Sequence, residues 1–267
     1  MNAERYDGTE HDAFAQAVRR DGFCVLPEHF PAQTLDRWRD HFAPLLEHHI
    51  AREGHLRNRG SQRYYVTLPF DAPFADAAIY EDADVLAVVE RLVGPDMTMV
   101  QLATDTPLAG SEYQDVHRDT PPLFPETGAE TPPYQLAVNF PLVEVTRENG
   151  PLEVARGTHM LPKEEALRRI ETGDIKLEAL LMKLGDVMVR DVRALHRGTP
   201  NRTHMPRPMV VIGYSRRWLF RPEVTIHIPR AVDAALSQRA RRMLRFNPVV
   251  ASLDDVPDTE IYQAFAY

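Results

Sequence analysis

The spacing of apolar residues changes about a third of the way along the chain. Before that point apolar side chains recur every three or four positions, which is the period of one helical face. Phe14 and Val18 follow this spacing in residues 11–20. The stretch DVLAVVERLV, residues 84–93, predicts another helix, which Gly94 would end.

Two further elements are predicted in this N-terminal region. The stretch DGFCVLP, residues 21–27, is apolar and has the length of a short strand. A helical face then runs from Leu35 to Leu46. Within it, Pro44 should kink or shorten the helix, because proline lacks an amide hydrogen and crowds the preceding turn. Residues 1–95 are therefore expected to be mainly helical.

From about residue 97 the pattern becomes a series of short β-rich runs separated by proline and glycine. These runs are MTMVQLAT, YQDVHRDT, YQLAVNFPLVEV, GDVMVRD and PMVVIGYSRRW. Several short strands with turn signals between them are typical of a β-sandwich or a jelly roll. We therefore predict an α+β fold that is mainly β. Its N-terminal helices would pack on one sheet of a cupin-like double-stranded β-helix.

The same pattern predicts a single domain over residues 1–267, since β folds of this length commonly form one unit. The jelly-roll core is expected over residues 96–222, followed by a C-terminal helix and tail in residues 223–267. Two long proline-containing stretches, 121–133 and 161–176, have the length of functional lids rather than tight turns.

Composition narrows the range of partners. The net charge of −8, from 31 Lys and Arg against 39 Asp and Glu, disfavours nucleic acid, because phosphate binding needs a basic face. The basic run QRARRMLR, residues 238–245, is interpreted as the end of an amphipathic helix over 231–245, where positive charge complements the helix dipole. No apolar run is long enough to span a membrane, and the N-terminus lacks an apolar signal segment, so a cytoplasmic location is expected. No feature indicates an oligomeric state.

The single cysteine, Cys24, excludes an internal disulfide and a cysteine zinc site. A metal would have to be held by His, Asp or Glu. The stretch VHRDT, residues 116–120, offers such a pair. On a strand, His117 and Asp119 would project to one face while Arg118 points away. The pair alone is a weak signal, because a polar surface strand has the same pattern.

A third ligand is needed, and His196 in GDVMVRDVRALHRGTPN is the candidate we favour, since it ends a β-rich run and opens a turn. The neighbours His48 and His49 diverge on a helix and make a poor chelate. His159 follows a glycine and is interpreted as a loop-capping residue. His204 lies in a proline-rich loop and is the most serious alternative.

Two histidines and one carboxylate on one face of an octahedral ion leave three positions open, which suits non-haem Fe(II) oxygenases. A bidentate 2-oxo acid would take two of these positions and dioxygen the third. The distal carboxylate of the 2-oxo acid then needs a cation, and arginine fits best because its planar fork pairs both oxygens. Arg207, in RPMVVIGYS, is the first candidate, and Arg202 is the alternative.

At this point the sequence resembles the phytanoyl-CoA dioxygenase family of Fe(II)- and 2-oxoglutarate-dependent oxygenases. The resemblance covers most of the chain and rests on four segments in a fixed order. They are DGFCVLPEHF at 21–30, HRD at 117–119, TRENGPLEVARGTHM at 146–160, and GDVMVRDVRALHRGTPNRTHMPRP at 185–208.

The resemblance implies three iron ligands, His117, Asp119 and His196, and Arg207 as the partner of the 2-oxoglutarate carboxylate. It also implies Fe(II), 2-oxoglutarate and dioxygen as cofactor and co-substrates, with succinate and carbon dioxide released. The retained Asp119 disfavours halogenation, because related halogenases replace this carboxylate with a small residue.

Two more side chains are placed near the co-substrate by the same resemblance, Gln101 and Asn139, although an amide satisfied within the sheet would explain either. One departure is Arg156, which stands where family members often have proline before the GTH motif.

The expected function is oxidation, by default hydroxylation, of an unactivated C–H bond in a small-molecule metabolite or natural product of secondary metabolism. The alternative is a cupin-like binding protein or isomerase, with or without a metal, that does not use 2-oxoglutarate.

Overall fold

Antiparallel sheets form the centre of the protein, which is seen here in a computed structural model that describes residues 4–53, 60–220 and 224–256. The strands are β1 (Phe23–Leu26), β2 (Arg63–Thr67), β3 (Thr98–Pro107), β4 (Gln135–Pro141), β5 (Leu152–Ala155), β6 (Leu177–Leu180), β7 (Val187–Asp191), β8 (His196–Gly198), β9 (Met209–Ser215), β10 (Ile228–Pro229) and β11 (Val249–Val250). Six strands form the large sheet in the order β1-β7-β4-β9-β3-β2, and three form the small sheet in the order β6-β5-β8. Strands β10 and β11 form a separate parallel pair.

Helices lie mainly in the N-terminal part, as predicted. They are α1 (Gly8–Asp21), α2 (Ala32–Glu53), α3 (Ala77–Tyr80), α4 (Ala83–Val93), α5 (Lys163–Glu171), α6 (Arg230–Ala235) and α7 (Gln238–Leu244). Helix α1 begins with a capping box between Asp7 and Glu10 and ends at Gly22, whose φ of 89° suits glycine. Gly94 ends α4, as expected. No described helix is both long and apolar enough to cross a bilayer.

Alternation along the strands of the large sheet creates two different faces. In β4, Leu136, Val138 and Phe140 belong to the main apolar core, which also contains residues of α1, α2 and α4. Ala137 and Asn139 project from the opposite face into a cleft. Because the strand period is two, one face anchors the helices and the other is left for the site.

Each face of the large sheet packs against a different part of the protein. Trp38 in α2 packs edge-on against Phe140 and Phe74, with ring centroids 5.5 and 5.2 Å apart. A smaller apolar cluster that includes Met188, Met209 and Val154 joins the large sheet to the small one. Burial of each such side chain contributes about 1.5–3 kcal/mol.

Two sequence predictions about helices differ in part from the structure. Helix α2 continues past Pro44 to Glu53, so proline does not shorten it. The ring of Pro44 faces solvent, while Phe42 and Leu46 are buried on the inner side. The C-terminal helix expected over 231–245 is instead the pair α6 and α7, because Ser237 caps a new helix by accepting from the Ala240 amide.

Two further predictions fail between residues 113 and 176. The run YQDVHRDT, residues 113–120, forms no regular strand and makes only an isolated bridge from His117 to His196. The stretch 161–176, predicted to be a loop, contains α5. Residues 121–133 do form a long loop, with a single 3-10 turn at Pro125–Thr127. Its role as a lid stays a prediction, as does the division of the chain into one domain of three parts.

Candidate metal centre

The three predicted ligands lie together at one end of the cleft between the sheets. Oδ1 of Asp119 is 3.4 Å from Nε2 of His196 and 3.9 Å from Nε2 of His117. The two imidazole rings have centroids 4.4 Å apart. Donors on adjacent positions of an octahedral ion with bonds of about 2.1 Å lie about 3 Å apart, so small movements would bring these atoms onto one cation.

Backbone hydrogen bonds hold this group together although residues 113–120 are not a strand. The His117 and His196 amides each donate to the other residue's carbonyl, at 3.0 and 3.1 Å. The Asp119 amide donates to the Val192 carbonyl at 3.0 Å. The ligand segment is therefore fixed against β8 and the turn that precedes it.

Arg118 anchors the same segment from its other side. As predicted from strand alternation, its side chain points away from the pair that flanks it. Its guanidinium is 1% exposed, and it donates to the carbonyls of Thr158 and Leu161 and to Oε1 of Glu130 at 2.7 Å. Arg193 also donates to Glu130, so the end of the 121–133 loop is tied to the metal-ligand segment.

Both candidate histidines are oriented by a backbone carbonyl. Nδ1 of His117 lies 2.7 Å from the Asp115 carbonyl, and Nδ1 of His196 lies 2.9 Å from the Ala194 carbonyl. A carbonyl can only accept, so these contacts assign the proton to Nδ1 and leave the Nε2 lone pair for a cation. Nη1 of Arg190 is also 3.2 Å from Nδ1 of His196, but two donors cannot bond, and we assign the shorter contact.

Asp119 is held in its charged form by its neighbours. Burial would raise the pKa of its carboxyl, but the positive charge beside it, above all the Arg190 guanidinium, outweighs that effect and holds the pKa well below its usual value. Nη2 of Arg190 donates to Oδ2 of Asp119 at 2.7 Å. The carboxylate therefore stays ionised at neutral pH, as a metal ligand must.

The cleft that contains these residues encloses about 770 Å³ out to its open mouth. Its walls come from the inner faces of both sheets and from the segment before β4. They include Tyr65, Gln101, Asn139, Leu152, Arg190 and Arg207.

Arg207 lies in the same cleft and is buried without a carboxylate partner. Its Nη2 donates to the Gly150 carbonyl at 2.6 Å, and none of the described residues forms an ion pair with it. Burial lowers the pKa of its guanidinium to about 10, and the nearby charges of Asp105 and Arg63 act in opposite directions. The alternative cation, Arg202, is exposed and does not line the cleft.

Gln101 and Asn139 also line the cleft, and each already makes a protein contact. Gln101 donates from Nε2 to the Tyr65 hydroxyl. Asn139 donates from Nδ2 to the Val210 carbonyl at 3.2 Å, while its Oδ1 is buried and accepts no hydrogen bond within the described part of the chain. The structure thus places both near the predicted co-substrate site, and their roles stay predictions.

The alternative histidines lie elsewhere. His48 and His204 are exposed, and His49 packs against the Tyr64 ring. His159 is buried under Gly22 and lies 3.1 Å from the Arg19 carbonyl through Nε2. None of these four lines the cleft.

A second buried His–Asp group, which sequence reasoning did not identify, lies under the N-terminus. Nε2 of His11 is 2.8 Å from Asp84, and Nε2 of His29 is 2.7 Å from Asp82. Both carboxylates also accept backbone amides, including those of Arg5 and Val85. These bonds account for the group as a network that joins the N-terminus, the turn after β1 and helix α4.

Arg190 is the site residue that sequence reasoning missed. The signal was available, since Arg190 falls at the alternate position between the apolar residues Met188 and Val192, and a charge in such a position indicates a buried partner. Tyr65 also lines the cleft. Tyr64 instead belongs to the main core.

Comparisons with known proteins address the family and the fold. A family model described as phytanoyl-CoA dioxygenase matches residues 18–209. Among solved structures, the chain is similar to the non-heme alpha-ketoglutarate-dependent epimerase SnoN from nogalamycin biosynthesis, with 21% identity, a TM-score of 0.61, and coverage of 79% of this chain and 84% of that one. EctD from S. alaskensis with bound iron has 22% identity, a TM-score of 0.60, and coverage of 81% and 79%.

A third similar structure is HygX from Streptomyces hygroscopicus, crystallised with nickel, 2-oxoglutarate and hygromycin B. It has 17% identity and a TM-score of 0.59, with coverage of 81% of this chain and 90% of that one. At these identities the likenesses establish the fold, and they confirm the predicted α+β jelly-roll class.

Proposed function

The chain belongs to the phytanoyl-CoA dioxygenase family, and from that premise we propose that it hydroxylates an unactivated C–H bond of a small-molecule metabolite. As a member of this family it is a non-haem iron, 2-oxoglutarate-dependent oxidoreductase. The sequence alone left open whether the chain is an oxygenase or a cupin-like binding protein, and the family membership favours the oxygenase. The site residues, the hydroxylation outcome and the substrate class are the parts that we propose.

The residues of the cleft fit an iron ion. The donor set is two neutral imidazole nitrogens and one carboxylate, the combination that suits Fe(II) with open positions. Both imidazoles have Nδ1 committed to a carbonyl, which aims Nε2 at the carboxylate. We assign His117, Asp119 and His196 as the ligands.

The cleft also fits 2-oxoglutarate. A buried guanidinium without an anionic partner is costly, and Arg207 has no such partner among the described residues. Arg207 and Asn139 both line this cleft. We assign Arg207 to the distal carboxylate of 2-oxoglutarate, with Asn139 and Gln101 beside it.

Iron with 2-oxoglutarate and dioxygen supplies the oxidising power that side chains lack. The protein's residues bind and orient the reactants and exclude water. The apolar walls of the cleft, including Leu152, Val192 and Val211, suit a largely carbon-based substrate. The observation that carries the proposal is that three potential ligand atoms lie in one cleft with Arg207, a buried arginine that has no carboxylate partner within the described part of the chain.

Succinate formation tests the proposal. Purified protein would be incubated with Fe(II), ascorbate and 2-oxoglutarate in air while small molecules are screened for stimulation of turnover. We expect a stimulating compound to gain one oxygen atom by mass spectrometry. Asp119→Ala should abolish turnover, and His204→Ala, which changes an exposed histidine, should not. Turnover that survives Asp119→Ala would contradict the site, and a product that gains no oxygen would contradict hydroxylation.

A further inference from the structure

Arg190 is a charged residue in a position that otherwise holds apolar side chains. It lies on β7, between β1 and β4, and its side chain enters the cleft beside Met188 and Val192. Only 5% of it is exposed. Burying a guanidinium is unfavourable unless a charged partner offsets the loss of hydration.

Asp119 is that partner. Nη2 of Arg190 donates to Oδ2 of Asp119 at 2.7 Å, and no other carboxylate among the described residues pairs with this arginine. Its Nη1 lies beside Nδ1 of His196, and its Nε makes no hydrogen bond within the described part of the chain. The ionic contacts of Arg190 are therefore directed entirely at one candidate metal ligand.

Because of the hydrogen bond from Arg190, the two carboxylate oxygens of Asp119 have different neighbours. Oδ2 is occupied by Arg190, whereas Oδ1 is the oxygen that faces Nε2 of both histidines. Building on the proposed function, we propose that Arg190 is a positioning residue that restricts Asp119 to binding iron through Oδ1 alone.

Binding through one oxygen matters because an octahedral ion has only six coordination positions. With two histidines and one carboxylate oxygen, three of six positions stay open for a bidentate 2-oxo acid and dioxygen. A carboxylate bound through both oxygens would take one of those three. Arg190 thus preserves room for the co-substrates instead of strengthening the hold on the metal.

This role predicts opposite effects on the two binding steps. Removing Arg190 frees Oδ2 and removes a cation from beside the metal, so metal affinity should not fall. The 2-oxo acid should bind more weakly, because it loses a coordination position and a nearby positive charge. A merely structural defect would weaken both steps.

The test uses the full chain, Co(II) alone as the metal probe, and 2-oxoglutarate added to the Co(II)-loaded protein. In Arg190→Met the dissociation constant for Co(II) should stay at or below the wild-type value. The dissociation constant for 2-oxoglutarate should rise about tenfold to a hundredfold, the size of change that losing one interaction with a charged group produces. Arg190→Lys, which keeps the charge, should recover part of the difference.

Arg197→Met is the matched control. Arg197 is adjacent to His196, but it donates to Glu153 at 2.7 Å and stacks on the exposed Tyr113 ring, and it does not line the cleft. Both dissociation constants should stay within about twofold of the wild-type values in this variant, since surface ion pairs are weak.

A crystal structure of the wild-type protein with Co(II) provides a second test that requires no variant to fold. We expect Asp119 bound through Oδ1, with Oδ2 still on Arg190. Chelation through both oxygens, or unchanged 2-oxoglutarate affinity in Arg190→Met, would overturn the inference. If wild-type protein does not bind Co(II) at His117, Asp119 and His196 at all, the proposed function fails instead.

Discussion

His117 and His196 pair across a single antiparallel bridge, with reciprocal backbone hydrogen bonds of 3.0 and 3.1 Å and ring centroids 4.4 Å apart. These two residues are far apart in the sequence, and their main-chain hydrogen bonds hold them side by side. The imidazoles need only their Nδ1 contacts to complete their orientation. The site therefore depends on what holds the segment around residue 117 in place, because that segment has no ladder of strand hydrogen bonds.

Arg118 should be the main anchor of that segment. Replacing it with methionine leaves Glu130 without one of its two buried cations and removes the bonds to the Thr158 and Leu161 carbonyls. Breaking a buried pair in this way costs about 3–5 kcal/mol, so urea unfolding of Arg118→Met should show a loss of that size. Glu130→Gln keeps an acceptor and should cost less. Equal stability of Arg118→Met and wild-type protein would exclude the anchoring role.

Arg207 should lower the free energy of unfolding of the protein, although it is needed to bind 2-oxoglutarate. Its guanidinium is fully buried, its pKa is lowered by that burial to about 10, and it has no carboxylate partner among the described residues. In Arg207→Met, without ligand, the free energy of unfolding should therefore rise by about 1 kcal/mol or more.

The same variant should lose affinity for 2-oxoglutarate by about a hundredfold, at unchanged Co(II) affinity, because a charge-assisted pair is worth about 1.5–3 kcal/mol. Calorimetric titration of Co(II)-loaded protein measures this directly. Full retention of 2-oxoglutarate binding would mean that another cation, such as Arg63, holds the carboxylate.

Gly198 should be required because Arg63 occupies the space beside it. A Cβ at residue 198 would lie 2.5 Å from the Arg63 guanidinium, which is held by Asp105 at 2.9 Å and by the Thr199 carbonyl at 2.6 Å. Gly198→Ala should destabilise the protein by about 1–3 kcal/mol through overpacking.

Gly8→Ala is the matched control, because Gly8 lies on the exposed side of α1 and an added Cβ meets nothing closer than 3.8 Å. It should raise the free energy of unfolding by about 0.4–1 kcal/mol. If thermal unfolding shows the same sign of change in both alanine variants, the steric explanation for Gly198 is wrong.

His159 should make the protein less stable in mild acid. Burial, the largest effect on its imidazole, lowers the pKa of His159 below its ordinary value of 6.5. The unfolded chain therefore takes up a proton at a higher pH than the folded chain does. The stability associated with neutral His159 is complete above about pH 6.5 and falls as the pH drops toward the folded-state pKa.

Denaturant unfolding at several pH values between about 5 and 7.5 measures this slope. In His159→Gln the dependence on pH should be shallower than in the wild type. In His204→Gln, where an exposed histidine is lost, it should match the wild type. A wild-type slope in His159→Gln would show that other groups dominate acid sensitivity.

The periodicity of the sequence was enough for the helical N-terminal part and the mainly β core. His117 and Asp119 do face each other's ligand atoms, but in a segment that is not the strand from which their shared orientation was predicted. Periodicity could not identify the contacts that hold the segment around His117 and Asp119 in place. The bonds of Arg118 to Thr158, Leu161 and Glu130 join residues far apart in sequence, and no local pattern records them.

Other differences between the predicted and the observed helices have local causes. Pro44 lies on the exposed side of α2, where burial of Trp38 and Phe42 stabilises the helix despite the missing hydrogen bond. Ser237 is a typical N-cap and does divide the C-terminal helix. In α5, Glu165 pairs with Arg168 and Arg169 at helical spacing, a signal that the reading of 161–176 as a loop missed.

The central claim is that four side chains, His117, Asp119, His196 and Arg207, bind Fe(II) and 2-oxoglutarate together. A crystal structure of the protein prepared without oxygen, in the presence of both, tests it most directly. We predict His117 Nε2, Asp119 Oδ1 and His196 Nε2 on the iron, with the Arg207 guanidinium on the distal carboxylate of 2-oxoglutarate. His196 turned away from the metal, or Arg207 out of hydrogen-bonding range of that carboxylate, would contradict the account.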